Sequence, residues 1–281
     1  MDMPVGICTC GNERVKGSLV NLITEHSAAD LECIVEKDYA KKYIHSPLKN
    51  NIIRSAESRQ TILLESAGIE YKESLNELAV WLQFKWPIGA KIKVKFLNRD
   101  AYLEPLISKS AKEWEAFANI TFEFIETGDS DVRISLVQDG TSWSKLGTLC
   151  TEVTDQNIPT MNFGWFNSST NPNEIKRTTL HEFGHVLGCI HEHQSPDAKF
   201  PWDVNRIRRV YLAAHHKTEE WLQTNIIGKF PAADISNSNY DSLSIMHYPF
   251  DAMYTTTGVA YCINWDLSEQ DKEFIGMCYP F

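Results

Sequence analysis

The spacing of hydrophobic residues changes near Trp86 and divides the chain into two parts. Before this point, apolar residues recur at roughly helical spacing in three stretches, residues 27–44, 51–66 and 72–82. Apolar positions three and four residues apart fall on one face of a helix. The pattern therefore predicts a helical N-terminal segment over residues 1–85.

Beyond Trp86 the period shortens to two, as expected for strands with one buried face. Apolar and polar residues alternate in KIKVKFL from Lys91, ITFEFIE from Ile120 and DVRISLV from Asp131. Residues 102–119 lie between the first two of these stretches and return to helical spacing. A strand, a helix and two further strands in this order favour a twisted sheet with a crossover helix.

The pattern in the rest of the chain predicts further strands and helices, which together indicate the α+β fold class. Residues 142–153 are typical of an irregular edge strand, and PTMNFGWF from Pro159 is typical of the last strand of the sheet. Shorter helical stretches follow at residues 202–214 and 218–227 and from Ser268. We therefore predict a twisted mixed N-terminal sheet with two long helices, followed by an irregular helical C-terminal subdomain.

The second long helix has clear boundary signals. Asn171 is a favourable N-cap, Pro172 suits the first helical position, and Glu174 stands where a capping box requires an acidic residue. Gly188 is a typical stop signal. These residues predict a helix over about 172–188.

Composition and charge narrow the possible partners. The chain has 281 residues, 43% of them hydrophobic, and a formal net charge of −10, which disfavours nucleic acid and anionic membranes. No apolar run is long enough to span a bilayer, and the N-terminus shows no secretory signal. Seven irregularly spaced cysteines favour a reduced chain. We expect a cytoplasmic protein or one exported without a leader; no feature predicts an oligomeric state.

A dense group of histidines follows in HEFGHVLGCIHEHQ, which begins at His181. His181 and His185 are four residues apart and share one helix face, so both imidazoles can reach one ion. Gly188 can adopt a positive φ and turn the chain sharply, which allows His191 to approach as a third ligand. Three neutral ligands leave one position open for water, and this is typical of a catalytic zinc site.

Glu182 lies next to the first histidine and is the candidate general base. The alternative for the whole group is a surface helix with chance histidines, but the full H-E-x-x-H-x-x-G-x-x-H spacing favours a metal site. Two other functions keep the same zinc site. One is an inactive zinc-binding module that recognises a protein partner, and the other is a zinc amidase acting on a non-protein amide.

HEFGHVLGCIHE resembles the extended zinc signature of the metzincin metallopeptidases, and Glu192 after the third histidine is similar to the astacin type. SIMHY, residues 244–248, resembles the astacin Met-turn. The resemblance covers residues 86–281 and implies a metzincin-like catalytic domain with one catalytic zinc ion and a protein or peptide substrate. It also implies that Met246 lies beneath the metal and that Tyr248 reaches it as a fifth ligand.

The implied activity is that of a zinc-dependent endopeptidase. The metal would polarise the scissile carbonyl and lower the pKa of a water molecule toward about 7. Glu182 would take the proton from that water and pass it to the leaving amine. Tyr248 would stabilise the oxyanion.

The chain also departs from the family pattern. The arginine and acidic residues that usually follow the glutamate are absent from HEHQSPDAKF. Within the family, Glu192 often helps to fix a processed N-terminus. We expect Cys189 to be buried and inert, and His193 and His247 to lie outside the ligand set.

Ser142, Trp143 and Gly147 fall where an edge strand would border the substrate cleft. One interpretation is that this edge pairs with the extended backbone of a substrate. The other is a loop that carries a packed tryptophan.

The N-terminal segment also allows two interpretations. It is either an inhibitory prosegment, whose zinc-blocking ligand would be Cys8, Cys10, Cys33 or Asp30, or a helical support for the catalytic domain. No cysteine-switch or aspartate-switch string is present in the segment, which favours the support.

Overall fold

The computed structural model describes residues 31–34, 80–196, 198–214, 217–230, 235–236 and 240–281. The strands are β1 Leu31–Ile34, β2 Val80–Trp81, β3 Lys91–Phe96, β4 Thr121–Phe124, β5 Val132–Ser135, β6 Ser142–Lys145, β7 Met161–Phe163 and β8 Ile235–Ser236. The α-helices are α1 Leu103–Ala111, α2 Pro172–Val186, α3 Val204–Arg208, α4 Glu219–Leu222 and α5 Glu269–Cys278. Short 3₁₀ segments span Leu82–Phe84, Lys112–Ala116, Gly147–Glu152, Glu192–Gln194 and Ala252–Tyr254, and π-helical turns span Arg209–Ala214 and Gln223–Ile227.

Six strands form the main sheet in the order β1-β6-β7-β5-β3-β4. The pairs β3–β4, β3–β5, β5–β7 and β1–β6 are parallel, whereas β6 runs antiparallel to β7. The predicted crossover helix α1 joins β3 to β4. In β3 the alternating Ile92 and Val94 are fully buried, because period-two spacing directs both side chains to the same face. The predicted mixed sheet is therefore confirmed.

The core lies between the sheet and the two longest helix segments, α1 with its 3₁₀ extension and α2. Phe183 of α2 packs edge to face against Phe122 of β4, with ring centroids 4.8 Å apart. Trp114 is fully buried, and its indole donates a hydrogen bond to the Leu180 carbonyl at 3.0 Å. Burying each of these aromatic side chains stabilises the fold by about 1.5–3 kcal/mol. The packing fixes α2 against the sheet.

Helix α2 begins at the predicted residue, Pro172, and ends at Val186, shortly before the predicted end at 188. The Asn171 side chain accepts a hydrogen bond from the amide of Asn173 at 2.9 Å, as expected for an N-cap. Past the last turn of the helix, Gly188 has a φ of +90°, which favours glycine. The capping box predicted for Glu174 is wrong, because its carboxylate contacts Arg177 instead. A charged neighbour one helical turn away competes with the N-cap amide for this carboxylate.

Helix predictions in the N-terminal segment are wrong at residues 31–34 and 80–81, whereas Leu82–Phe84 form a short 3₁₀ segment. Residues 31–34 form β1, and Val80–Trp81 form β2, which pairs with β8. Pairing with an existing strand supplies backbone hydrogen bonds that override a weak helical pattern. The stretch predicted over residues 51–66 lies outside the described residues. Among those described, no helix combines the length and apolar character needed to cross a membrane.

Candidate metal centre

Three histidines meet where α2 ends. His181 and His185 occupy successive turns, and their ring centroids are 4.8 Å apart. The turn at Gly188 brings His191 back, with its ring 4.8 Å from His185 and 5.4 Å from His181. One ring nitrogen from each histidine lies within 4.8 Å of the others. The structure thus brings together the three ligands predicted from the sequence.

Each imidazole is oriented by a hydrogen bond at Nδ1. The Nδ1 atom of His181 lies 2.8 Å from the Ile245 carbonyl oxygen, and that of His185 lies 2.7 Å from the Cys189 carbonyl oxygen. A carbonyl oxygen only accepts, so both Nδ1 atoms carry the proton and both Nε2 atoms keep a lone pair. The Nε2 atoms of His181 and His191 are buried and have no hydrogen-bond partner among the described residues. This donor set fits a zinc ion.

Burial keeps the three imidazoles neutral. It lowers the pKa of His181 and His191 well below the ordinary value and lowers that of His185 to about 4. The neighbouring histidines lower the pKa of His181 and His191 further, since each proton would repel the next. The ligands therefore need no deprotonation before they bind a metal at neutral pH.

Glu182 directly follows His181 in α2 and is fully buried. Neither carboxylate oxygen has a hydrogen-bond partner within the part of the chain that the structure describes. Burial raises the pKa of this carboxyl well above its usual value, and Arg177 opposes that effect. A buried carboxylate free of other hydrogen bonds and with a raised pKa is suited to accept a proton from water.

Met246 is fully buried and packs against α2 at Gly184, between His181 and His185 in the chain. Gly184, within the zinc signature, makes room for it: a Cβ atom at Gly184 would lie 2.4 Å from the Met246 sulfur. The sequence analysis missed this requirement, although the glycine stands inside HEFGH. The close approach explains why glycine occupies the interior of α2 despite its poor helix propensity.

Tyr248 lies beside the third ligand. Its ring centroid is 4.1 Å from that of His191 and 5.8 Å from that of His181. The side chain is fully buried. This position fits the fifth-ligand or oxyanion role that the resemblance implies for Tyr248.

Glu192 joins the ligand loop to the Met-turn. One of its carboxylate oxygens accepts a hydrogen bond from the Asp241 amide at 2.9 Å. Its own amide donates to the Met246 carbonyl at 3.1 Å. The residue therefore supports the site through contacts with the Met-turn and the segment that precedes it.

Asp271 is a further supporting residue that the sequence analysis missed. Its buried carboxylate accepts hydrogen bonds from the Ser244 hydroxyl at 2.7 Å and from the Ile245 amide at 2.8 Å. It also completes a capping box with Ser268 at the start of α5. The Ile245 carbonyl in turn orients His181, so α5 is linked to a metal ligand through the backbone of one residue.

The other two histidines near the site lie outside the ligand group, as predicted. The Nε2 atom of His193 is 3.3 Å from the Asn225 carbonyl oxygen. His247 lies between the Tyr248 carbonyl oxygen and the Tyr240 hydroxyl, at 2.6 Å from each.

Cys189 is fully buried, and burial raises its thiol pKa well above the usual value. A buried, protonated thiol is unreactive, which agrees with the inert role predicted for it.

The predicted edge strand, residues 142–153, is a strand only over β6, and Gly147 begins the 3₁₀ segment that follows it. Ser142 is buried, Trp143 is half-buried, and both lie in the strand. Gly147 has a φ of +49°, and a Cβ atom there would lie 1.9 Å from the Phe84 carbonyl oxygen, so packing alone requires glycine. Substrate binding by these three residues remains a prediction. On its outer side, β6 pairs with β1.

We predict that the metal-free protein loses stability as pH falls from 7.5 to 5. Unfolded imidazoles bind protons near pH 6.5, whereas His185 and His247, with pKa values of about 4, stay neutral when folded. The unfolded state then binds more protons, and each of these histidines removes about 2 kcal/mol by pH 5. Burial raises the pKa of Glu182 and Asp271, which offsets part of this loss.

Urea unfolding of the chelator-treated protein at the two pH values measures the effect. A free energy of unfolding that stays constant or rises toward pH 5 would contradict the prediction.

Comparisons with known proteins agree with this geometry. The family model described as Astacin, a family of peptidases, matches residues 82–276. A structure of myroilysin is 39% identical with a TM-score of 0.70, covering 72% of this chain and 98% of that one. A crystal structure of myroilysin is 36% identical with a TM-score of 0.56, covering 75% and 93% respectively.

A curated relative, zinc metalloproteinase nas-36 of Haemonchus contortus, is 27% identical over 223 residues. The match covers 76% of this chain but only 33% of that relative, so the chain spans about a third of its length. The family model covers more than half of the chain and includes all three histidines and the Met-turn. On this basis, the chain belongs to the astacin family of zinc metallopeptidases.

Proposed function

We propose that this protein is a zinc-dependent endopeptidase that hydrolyses internal peptide bonds of proteins or peptides. The observation that carries the proposal is the position of Glu182. This buried carboxylate has no competing hydrogen bond among the described residues and directly follows His181, the first of the three clustered imidazoles, in α2. A catalytically inactive metal site needs no general base, so the presence of Glu182 argues against an inactive zinc-binding module.

His181, His185 and His191 would hold the zinc ion, which supplies a Lewis acid for peptide hydrolysis. Glu182 accepts a proton from the attacking water at a carboxylate oxygen and later delivers it to the leaving amine. The Tyr248 hydroxyl donates a hydrogen bond to the oxyanion that develops on the scissile carbonyl.

Removing the metal should abolish hydrolysis of casein, and restoring zinc should recover it. The three histidines supply the only described group of three metal-ligating side chains close enough to share an ion. Digestion of a peptide library, read by mass spectrometry, gives the second measurement. Cleavage within peptides supports the endopeptidase. If the peptides are not cleaved but a non-protein amide is hydrolysed, the protein is instead an amidase. If the zinc-loaded protein hydrolyses neither, the proposal is overturned.

We further propose that residues 1–85 form an inhibitory prosegment. Strand β1 is parallel to β6, with Leu31 opposite Ser142 and Cys33 opposite Ser144. If substrate pairs with the outer edge of β6, then β1 takes the same backbone hydrogen bonds. The metal ligands, Glu182 and Tyr248 are each at most 2% exposed, as in a site closed to substrate.

Releasing β1 should therefore raise casein hydrolysis by the full-length chain. Replacing both Glu32 and Cys33 by proline removes two consecutive backbone donors, so the strand cannot pair whichever residue faces β6. Replacing Leu82 by proline, in the 3₁₀ segment near the end of the predicted prosegment, gives a control for a general effect of proline. A fully active sample whose N-terminal sequencing still begins at Met1 would contradict the inhibitory role.

A further inference from the structure

The three metal ligands differ in what orients them. The Nδ1 atoms of His181 and His185 face backbone carbonyl oxygens, whereas Nδ1 of His191 lies 3.1 Å from the side-chain oxygen of Gln194. Only the third ligand thus has an orienting partner that depends on a side chain. We infer that Gln194 is a positioning residue for His191 and that residues 228–230 hold it in place.

The hydrogen bonds of Gln194 determine which way its amide points. Its Nε2 atom donates to the Gly228 carbonyl oxygen at 3.2 Å. That oxygen can only accept, so Oε1 must face His191. Because Oε1 can only accept, His191 must carry its proton on Nδ1 and present the Nε2 lone pair to the metal. The Gly228 carbonyl thereby selects the tautomer of the third ligand through one side chain.

The backbone around Gln194 is held by the same short segment. The Phe230 amide donates to the Gln194 carbonyl at 3.1 Å. The Lys229 ammonium donates to the carbonyls of His193 and Ser195, at 2.9 and 3.0 Å, and also to that of Ala198. Residues 228–230 therefore contact the ligand loop on both sides of Gln194, which is itself buried. Charge-assisted hydrogen bonds of this kind are the stronger ones in proteins.

This arrangement joins a separate part of the fold to the metal. Residues 228–230 directly follow α4 and its π-helical extension, Gln223–Ile227. The Asn225 carbonyl oxygen of that extension also forms a hydrogen bond with the His193 ring. The position of the third ligand thus depends on a segment more than thirty residues further along the chain. Loss of the contact between residues 228–230 and Gln194 should weaken metal binding even in the absence of substrate.

The inference rests on the proposed zinc site but is tested without peptide hydrolysis. Gln194→Met preserves side-chain length and removes both hydrogen bonds. We expect its zinc dissociation constant, measured by chelator competition, to rise about 10–100-fold, as is typical for loss of a partner of a ligating histidine. Gln194→Glu keeps an acceptor for Nδ1 but loses the donor to the Gly228 carbonyl, so its zinc dissociation constant should rise less than that of Gln194→Met.

Gln156→Met is the matched control. The Gln156 side-chain oxygen likewise accepts a hydrogen bond, here from the Ser130 amide at 2.9 Å, and this contact connects two loops of the sheet. Its loss should leave zinc affinity unchanged. In the metal-free protein, nitrogen-15 NMR of the imidazoles should show His191 protonated at Nδ1 in wild type and in Gln194→Glu, and a mixture of tautomers in Gln194→Met.

A purely structural role predicts a different result. Gln194→Met would then lower the free energy of unfolding while zinc affinity and the His191 tautomer stayed as in wild type, and this would overturn the inference. If Gln194→Met does not fold, Lys229→Met tests the anchor and should raise the zinc dissociation constant about 3–10-fold; unchanged affinity there would also overturn it. A wild-type protein that binds zinc but hydrolyses no peptide defeats the proposed function alone.

Discussion

Glu182→Gln should leave zinc bound and slow peptide hydrolysis by about 10²–10⁴-fold, the range typical of a lost general base. Glutamine has nearly the same shape as glutamate but cannot accept the proton of the attacking water. Glu182 accepts no hydrogen bond from the described residues, so the replacement breaks no described structural contact. Burial also raises its pKa, so removing the charge should preserve or increase stability. Zinc content and kcat/KM measured on the same sample give the test.

Tyr248→Phe is the comparison for this experiment. It keeps the ring that packs 4.1 Å from His191 and removes only the hydroxyl. We expect zinc to stay bound and kcat to fall by about 10²-fold, as for loss of one oxyanion donor. Near wild-type turnover in Glu182→Gln would refute the mechanism, and loss of zinc from Tyr248→Phe would refute the catalytic role of its hydroxyl.

Asp271→Ala should lower the free energy of unfolding by about 3–5 kcal/mol, because it leaves several buried donors without an acceptor. These donors are the Ser244 hydroxyl and the amides of Ile245 and Ser268. The carbonyl of the same Ile245 residue orients His181, so zinc affinity should fall together with stability. Urea unfolding and chelator competition measure the two effects separately.

Glu269→Ala provides the control from the same first turn of α5. The Glu269 side chain is 85% exposed, and its ion pair with Lys272 lies at the surface. Its replacement should change stability by less than about 0.5 kcal/mol and leave zinc affinity unaltered. A loss of stability in Asp271→Ala no larger than that in Glu269→Ala would contradict the supporting role of Asp271.

The metal site could be predicted because its main determinants are local in sequence. A four-residue interval on a helix places His181 and His185 on one face, and a glycine turn returns His191 within six residues. The sheet was predictable for the same reason, because alternation of apolar and polar residues along a strand shows which of its faces is buried. Neither inference required knowledge of distant contacts.

The supporting residues depend on contacts between distant parts of the chain. Nothing near Asp271 indicates that its carboxylate reaches a residue 26 positions earlier. The need for glycine at position 184 is explained by the close approach of the Met246 sulfur. The orientation of the Gln194 amide is explained by its hydrogen bond to the Gly228 carbonyl. β1 was missed because pairing with β6, over a hundred residues away, decides its conformation rather than its local helical period.

The backbone partners of His181 and His185 have an evolutionary consequence. A carbonyl oxygen is present whatever side chain its residue carries, so positions 189 and 245 can drift without changing how either imidazole is oriented. His191 lacks this tolerance, because its partner is the amide of Gln194. Among related chains, positions 189 and 245 should therefore accept any side chain that fits the core, whereas position 194 also requires an acceptor for His191.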